Sequence, residues 1–133
     1  MKQPKWINTS LATAIHDEAI YEFGGLAGIR DPGLLASALD RPRNLLAYEP
    51  RSSIFALAAL LCAGIARNHP FNDGNKRTAL LATRAFLYLN GHEFEPPQEE
   101  EVATLIGVAE GSLDELVLAT WLKRRSHRRR RTT

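Results

Sequence analysis

Ile54-Phe-Ala-Leu-Ala-Ala-Leu-Leu-Cys-Ala-Gly-Ile-Ala66 is the stretch that decides the fold. Every side chain in it is apolar or absent, so a helix built from it has no face for water and belongs in the middle of a bundle. The run is too short to cross a bilayer, which takes about 20 such residues. Ser52 or Ser53 can start the helix, because a hydroxyl there accepts a first-turn N–H. Cys62 lies inside the run without polar neighbours and reads as core filler rather than a nucleophile. As the single cysteine it excludes an intramolecular disulfide.

Outward from this segment the chain reads as all-α. Asn8, Thr9 or Ser10 caps a first helix with apolar positions Leu11, Ile15 and Ala19, which Gly24-Gly25 ends. Asp31-Pro32, a capping residue followed by proline at the first helical position, opens a short helix carrying Leu34, Leu35, Ala38 and Leu39. Arg41-Pro42 is expected to stop it, followed by a turn-rich, extended loop through Asn44 and Tyr48 to Pro50. After the central helix, a helix over 74–89 ends at Asn90-Gly91 as a left-handed cap. Glu99, Glu100 and Glu101 then occupy a first turn, where the helix dipole favours them. That helix is expected to bury Val102, Leu105, Ile106 and Ala109 and to end at Gly111. Ser112 and Glu115 form a capping box for a last helix with Leu116, Val117 and Trp121.

At 133 residues the chain is one domain, able to bury about two thirds of its unfolded surface. Net charge is only +2, but it is unevenly spread. Seven Lys or Arg and no acid lie between Lys123 and Arg131, leaving ten basic against 15 acidic residues before them. The body over 1–122 is thus acidic, and 123–133 reads as a solvated, irregular basic tail, with nucleic-acid contact the lesser expectation. The first 20 residues contain Asp17 and Glu18 and no continuous apolar stretch, so no secretory signal is read and a cytoplasmic location is expected.

Chemistry concentrates in His69-Pro-Phe-Asn-Asp-Gly-Asn-Lys-Arg-Thr-Ala-Leu80. A helix N-terminus binds anions through its unpaired N–H groups and the positive end of its dipole. Lys76 and Arg77 add full charges there, Gly74 permits close backbone approach, and Asn75 can cap or donate. Asp73 would repel a phosphate unless a hard cation such as Mg²⁺ lies between them; alternatively it is a helix cap. His69 is the group that can accept a proton near neutral pH. Phe71 reads as core that locks the loop, and His16 as a satisfied core or interhelix histidine. The segment reads as a nucleotide-phosphate site with a built-in base.

This segment resembles the signature of the Fic/Doc family, His-x-Phe-x-Asp/Glu-Gly-Asn-Gly-Arg-x-x-Arg, and is closer to the Doc branch, whose version ends Asn-Lys-Arg. Ile15-His16-Asp17, Gly24-Gly25-Leu26-Ala27-Gly28-Ile29-Arg30-Asp31 and Leu34-Leu35-Ala36-Ser37-Ala38-Leu39 extend the likeness from about residue 6 to about 122. The resemblance implies a Fic-fold bundle of about six helices around a central buried one, with 43–49 as a flap holding the target backbone. It implies ATP and Mg²⁺ as cofactors, with His69 as general base, Asp73 on the metal, and Gly74, Asn75, Lys76 and Arg77 around phosphate.

Two positions depart from the broader signature. Lys76 stands where Fic adenylyltransferases have glycine, and Leu80 where they have a second arginine that holds the terminal phosphate. Doc-type members share both departures and are held to transfer the γ-phosphoryl group. The implied activity is therefore a toxin kinase acting on a hydroxyl of a translation protein, elongation factor Tu by family precedent. An AMP transferase and a non-catalytic anion-binding module are the alternatives. The family's inhibitory pattern, Ser/Thr-x-x-x-Glu-Gly/Asn, is missing: the one Glu-Gly is Glu110-Gly111, and Ile106 precedes that glutamate by four. An unbraked toxin implies a separate antitoxin whose C-terminal segment folds as a helix into a groove of this body.

Overall fold

The computed structural model describes residues 3–130 and contains six helices and one two-stranded sheet among them. Helix α1 is Thr9–Phe23, α2 Pro32–Tyr48, α3 Ile54–Asn68, α4 Asn75–Leu89, α5 Gln98–Glu110 and α6 Glu115–Arg124. Short side chains set four of the starts. Asn8, Asp31, Ser53 and Asp114 each accept a backbone N–H three residues on, at 2.8–3.0 Å, and so satisfy orphan donors of the first turn. The three glutamates do fall in the first turn of α5, and Gly111 closes it in the left-handed conformation at φ 80°.

Helix α3 is central, as its composition demands. Nine of the ten positions from Leu57 to Ala66 are buried, Leu60 being the exception, and α2, α4, α5 and α6 all pack on it. Small residues set the crossing of α2 and α3. A Cβ on Gly64 would stand 3.0 Å from the Cβ of Ala38 and 3.1 Å from its Cα, so only glycine admits α2 at this spacing. Cys62 is buried in this core, and burial pushes its thiol up to about 11.

Four expectations are corrected. Pro42 does not stop α2, which runs on to Tyr48, so 43–48 is helical and forms no extended flap. An interior proline costs about 3 kcal/mol, but Leu35, Ala38, Leu39, Pro42 and Leu46 make one buried stripe, and burial at about 25 cal/mol per Å² of apolar surface outweighs that cost. On α5, Leu105 and Val108 are buried, whereas Val102 is 57% and Ile106 44% exposed. On α6, Trp121 is buried with Leu118 and Leu122, while Leu116 and Val117 face solvent. The cap of α6 is Asp114; Ser112 donates instead to the Gly107 carbonyl, and Glu115 pairs with Arg67 at 2.7 Å.

The basic tail is also more structured than its composition suggests. Lys123 and Arg124 complete α6, and Arg125 is ion-paired with Glu100. Strand β2, Ser126–Arg128, pairs antiparallel with β1, His92–Phe94, in the register His92↔Arg128, Glu93↔His127 and Phe94↔Ser126. The carboxylates of Glu93 and Glu95 face His127, at 4.0 and 3.3 Å, and Arg129 lies over the Tyr88 ring at 4.5 Å. Acids and an aromatic on the body offset the basic strand's self-repulsion. The last three residues of the tail lie outside the described residues.

Candidate functional site

Two connections build the site: the loop between α3 and α4, and the glycine-rich segment between α1 and α2. They are laced together by backbone hydrogen bonds. Arg30 and Asp31 N–H both donate to the Pro70 carbonyl at 2.7 and 3.0 Å, and Asn72 N–H donates to Gly28 at 3.0 Å. The Asn72 side chain donates to the Ala27 carbonyl at 3.0 Å. Arg30 reaches further, giving Nε–H to the His69 carbonyl at 2.7 Å and a terminal nitrogen to that of Asn68 at 2.9 Å. A guanidinium on the last carbonyls of α3 satisfies orphan acceptors at the negative end of that helix.

His69 is the C-cap of α3 and is left-handed, with φ 50° and ψ 55°. Among the described residues it is the single non-glycine with positive φ. Histidine tolerates this region better than most residues, and such a conformation persists where its surroundings enforce it. Here Arg30 and Pro70 do so. The result turns the chain sharply enough for the exposed imidazole to stand beside the start of α4.

Helix α1 supports the loop from below. His16, 1% exposed, donates Nε2–H to the Asp73 carbonyl at 2.8 Å and stacks on Phe71, with ring centroids 4.0 Å apart and planes 6° from parallel. Both rings are core, as read from the sequence. Asn75 closes the loop from the other side: its amide oxygen accepts Phe71 N–H at 2.9 Å and its amide nitrogen donates to the Phe71 carbonyl at 3.0 Å. What Asn75 has left to offer a ligand is chiefly its backbone N–H.

Gly74, left-handed at φ 70°, is the N-cap of α4 and no side chain caps that end. The first-turn N–H groups of Asn75, Lys76 and Arg77 therefore point outward with no intrahelical partner. Lys76 and Arg77 are exposed and form no ion pair among the described residues. The Asp73 carboxylate is held on both oxygens, one accepting Gly74 N–H at 2.9 Å and the other Leu26 N–H at 3.2 Å. Each oxygen keeps a free lone pair, and among the described residues no side-chain cation pairs with the group. An oriented, exposed carboxylate beside an anion-binding helix end suits a hard divalent cation.

One cleft of about 590 Å³ gathers His69, Asn72, Asp73, Gly74, Asn75, Lys76 and Arg77, so the structure brings all the sequence-predicted site residues together. Its other half was not anticipated. Leu80 and, from α5, Val102, Leu105 and Ile106 form an apolar wall, with Gln98 and Glu101 beside it. Glu101 is engaged with Arg84 at 2.9 Å. Val102 and Ile106, exposed in part, both line this cleft. Sequence reading also missed Arg30 and Asn72, whose roles depend on a neighbouring loop some 40 residues away; nothing in the local pattern distinguishes them. The expected flap contributes no residue, being part of α2.

The fold and cleft together define a class: a helical bundle with a capless helix start, two cations outside any ion pair among the described residues, an oriented carboxylate and a histidine around one anion-binding hollow. Comparison with known proteins gives the family. The profile of the Fic/DOC family matches residues 6–87. The protein kinase doc of Escherichia phage P1 is 37% identical over 112 residues, covering 84% of this chain and 87% of that protein. Toxin Doc of Mycolicibacterium smegmatis is 34% identical over 99 residues, covering 71% and 76% respectively. This chain belongs to the Fic/Doc family and is a Doc-like member of it. Among the described residues no helix is long and apolar enough to cross a membrane.

Proposed function

We propose that the protein is a toxin kinase that transfers the γ-phosphoryl group of ATP to a hydroxyl of a translation protein. The observation that carries this reading is the polarity of the cleft. Its cationic half, at the start of α4, adjoins His69; its apolar half is Leu80 with Val102, Leu105 and Ile106. A nucleotide is a polyanion joined to a flat, largely apolar base, and it fits such a cleft with its phosphates toward His69 and its base against α5. In that pose the terminal phosphate meets the incoming hydroxyl. An arginine at position 80 would favour the reverse pose by binding the far end of the triphosphate; leucine offers that end nothing.

Each residue then has a task. Lys76, Arg77 and the N–H groups of the first turn of α4 offset charge on the transferred group, a point charge and a fork acting together. Asp73 would hold Mg²⁺, which when bound supplies further charge neutralisation. His69 accepts the proton of the target hydroxyl as its oxygen bonds to the γ-phosphorus, and the bond from that phosphorus to the bridging oxygen breaks to release ADP. Elongation factor Tu is the target that family resemblance suggests. An antitoxin whose C-terminal segment folds onto this body would hold the enzyme off, since Ile106 occupies the position where an internal inhibitory motif needs Ser or Thr.

Incubation of a cell extract with the full chain and ATP labelled at either phosphate tests the reading. Label from the γ position alone should enter one protein band, and His69→Ala should abolish it while ATP binding persists. Transfer of α-label would make the protein an AMP transferase. Transfer of neither would make it a binding module.

A further inference from the structure

Three residues of α1 lie on one helical stripe, His16, Ile20 and Phe23, at the i, i+4, i+7 spacing that aligns side chains along a helix. Each meets a successive part of the anion site. His16 holds the Asp73 carbonyl at 2.8 Å. The Ile20 Cδ1 atom lies 3.3 Å from where a Cβ of Gly74 would stand. Phe23 carries the Arg77 guanidinium over its ring, Cζ to centroid 4.0 Å. The first is a hydrogen bond to backbone that holds the loop, and the second places Ile20 beside Gly74. The third is with a side chain that lines the cleft.

Phe23 is the last residue of α1 and is 54% exposed, so its ring is not there to fill the core. Arg77 has no carboxylate partner to orient it among the described residues, and a free arginine samples many rotamers. A ring face under the guanidinium restricts those rotamers without neutralising the charge or occupying its N–H edges, as a carboxylate would. The donors remain available to a phosphate in the plane of the fork.

We propose that Phe23 is a positioning residue of the anion site, holding Arg77 by a cation–π contact so that its fork faces the cleft. The inference rests on the nucleotide reading given above. Titration of the folded full chain with ATP and Mg²⁺ tests it, using Phe23→Leu, Phe23→Tyr, Arg77→Ala and the double variant Phe23→Leu/Arg77→Ala. Phe23→Leu should weaken binding about two- to fivefold, the worth of an exposed cation–π contact, and Phe23→Tyr should restore it. In the Arg77→Ala background Phe23→Leu should change nothing, because the partner is already gone. Wild-type affinity for Phe23→Leu, or the same loss with and without Arg77, overturns the inference and leaves the nucleotide site standing. An Arg77→Ala variant that binds ATP like wild type removes the nucleotide reading of this helix end, and the inference falls with it.

Discussion

Replacing Gly25 by alanine should disable the carboxylate arm of the site, and the size of the effect can be worked out. Gly25 has φ +118°, a conformation L side chains rarely adopt, so any substitution there costs about 1–3 kcal/mol of stability. The new Cβ would also stand 2.8 Å from the Asp73 Oδ2 and 3.1 Å from the Ile20 Cδ1. The isoleucine end can turn aside. The carboxylate can retreat only by giving up Leu26 N–H and straining its bond to Gly74 N–H. Hydrogen bonds to a charged group are worth about 1.5–3 kcal/mol, so a displaced Asp73 should lower Mg²⁺-dependent ATP affinity about 10- to 100-fold. Gly24→Ala is the control, because φ is +83° there but nothing lies within 4 Å of its Cβ. Both variants should melt lower, by about 3–5 °C for each kcal/mol of strain in a domain of this size. Calorimetric titration with and without Mg²⁺ then separates them: Gly24→Ala should bind as wild type and Gly25→Ala should lose its Mg²⁺ dependence. Identical titrations for the two would refute the assignment of Asp73 to the cation.

Leu80→Arg combined with Lys76→Gly places an arginine in the apolar half of the cleft and removes a cation from the other; α-label transfer from ATP should appear and γ-label transfer fall, and full γ-transfer would show that orientation is set elsewhere. Arg67 donates to the Val108 and Leu113 carbonyls at 2.9 and 2.8 Å and to Glu115 at 2.7 Å, tying α3 to the α5–α6 connection. Arg67→Ala should cost about 2–4 kcal/mol by urea unfolding, with little recovery in Arg67→Lys, which cannot fork; a loss below about 1 kcal/mol would mean solvent replaces these bonds. The Arg128 carbonyl, then the Glu95 carboxylate, hold His127 above its usual value of about 6.5. Its contribution to the hairpin is thus complete below that value and is lost as pH rises through the raised one. Amide exchange at Glu95 and Arg129, which donate to Arg125 and Gly91, should quicken beyond its intrinsic pH dependence as pH rises from about 6 to 8. His92, pushed down by burial and then by Arg128, acts in the opposite sense, so the comparison is with His127→Gln, where an unchanged slope would exclude His127.

Much of this protein is legible locally. The central helix follows from the unbroken apolar run after Ser53, and the starts at Asn8 and Asp31-Pro32 follow from side chains that cap their own neighbours. The turns at Gly24, Gly91 and Gly111 follow from residues that alone adopt positive φ without cost. The anion site is equally local: His69 to Arg77 are close in sequence, and a helix start places its N–H groups wherever it occurs. These features involve residues within one or two turns of each other, where covalent connection already decides what can meet.

Tertiary structure decided whatever required a partner from elsewhere in the chain. Pro42 reads as a stop until it is seen buried on a helix that packs against α3. Val102 and Ile106 read as core until α4 is seen to stand back from them and leave a cleft. The basic segment after Leu122 reads as a solvated tail until Glu100 is found paired with Arg125, and Glu93 and Glu95 facing His127. Arg30 and Phe23 carry no signal in their own segments, because their partners, His69 and Arg77, lie about 40 and 50 residues further along. Capping and helix formation are settled by short-range sterics and hydrogen bonds. Burial, by contrast, is a property of the whole packed chain, and the residues that hold the site in shape are set by that packing.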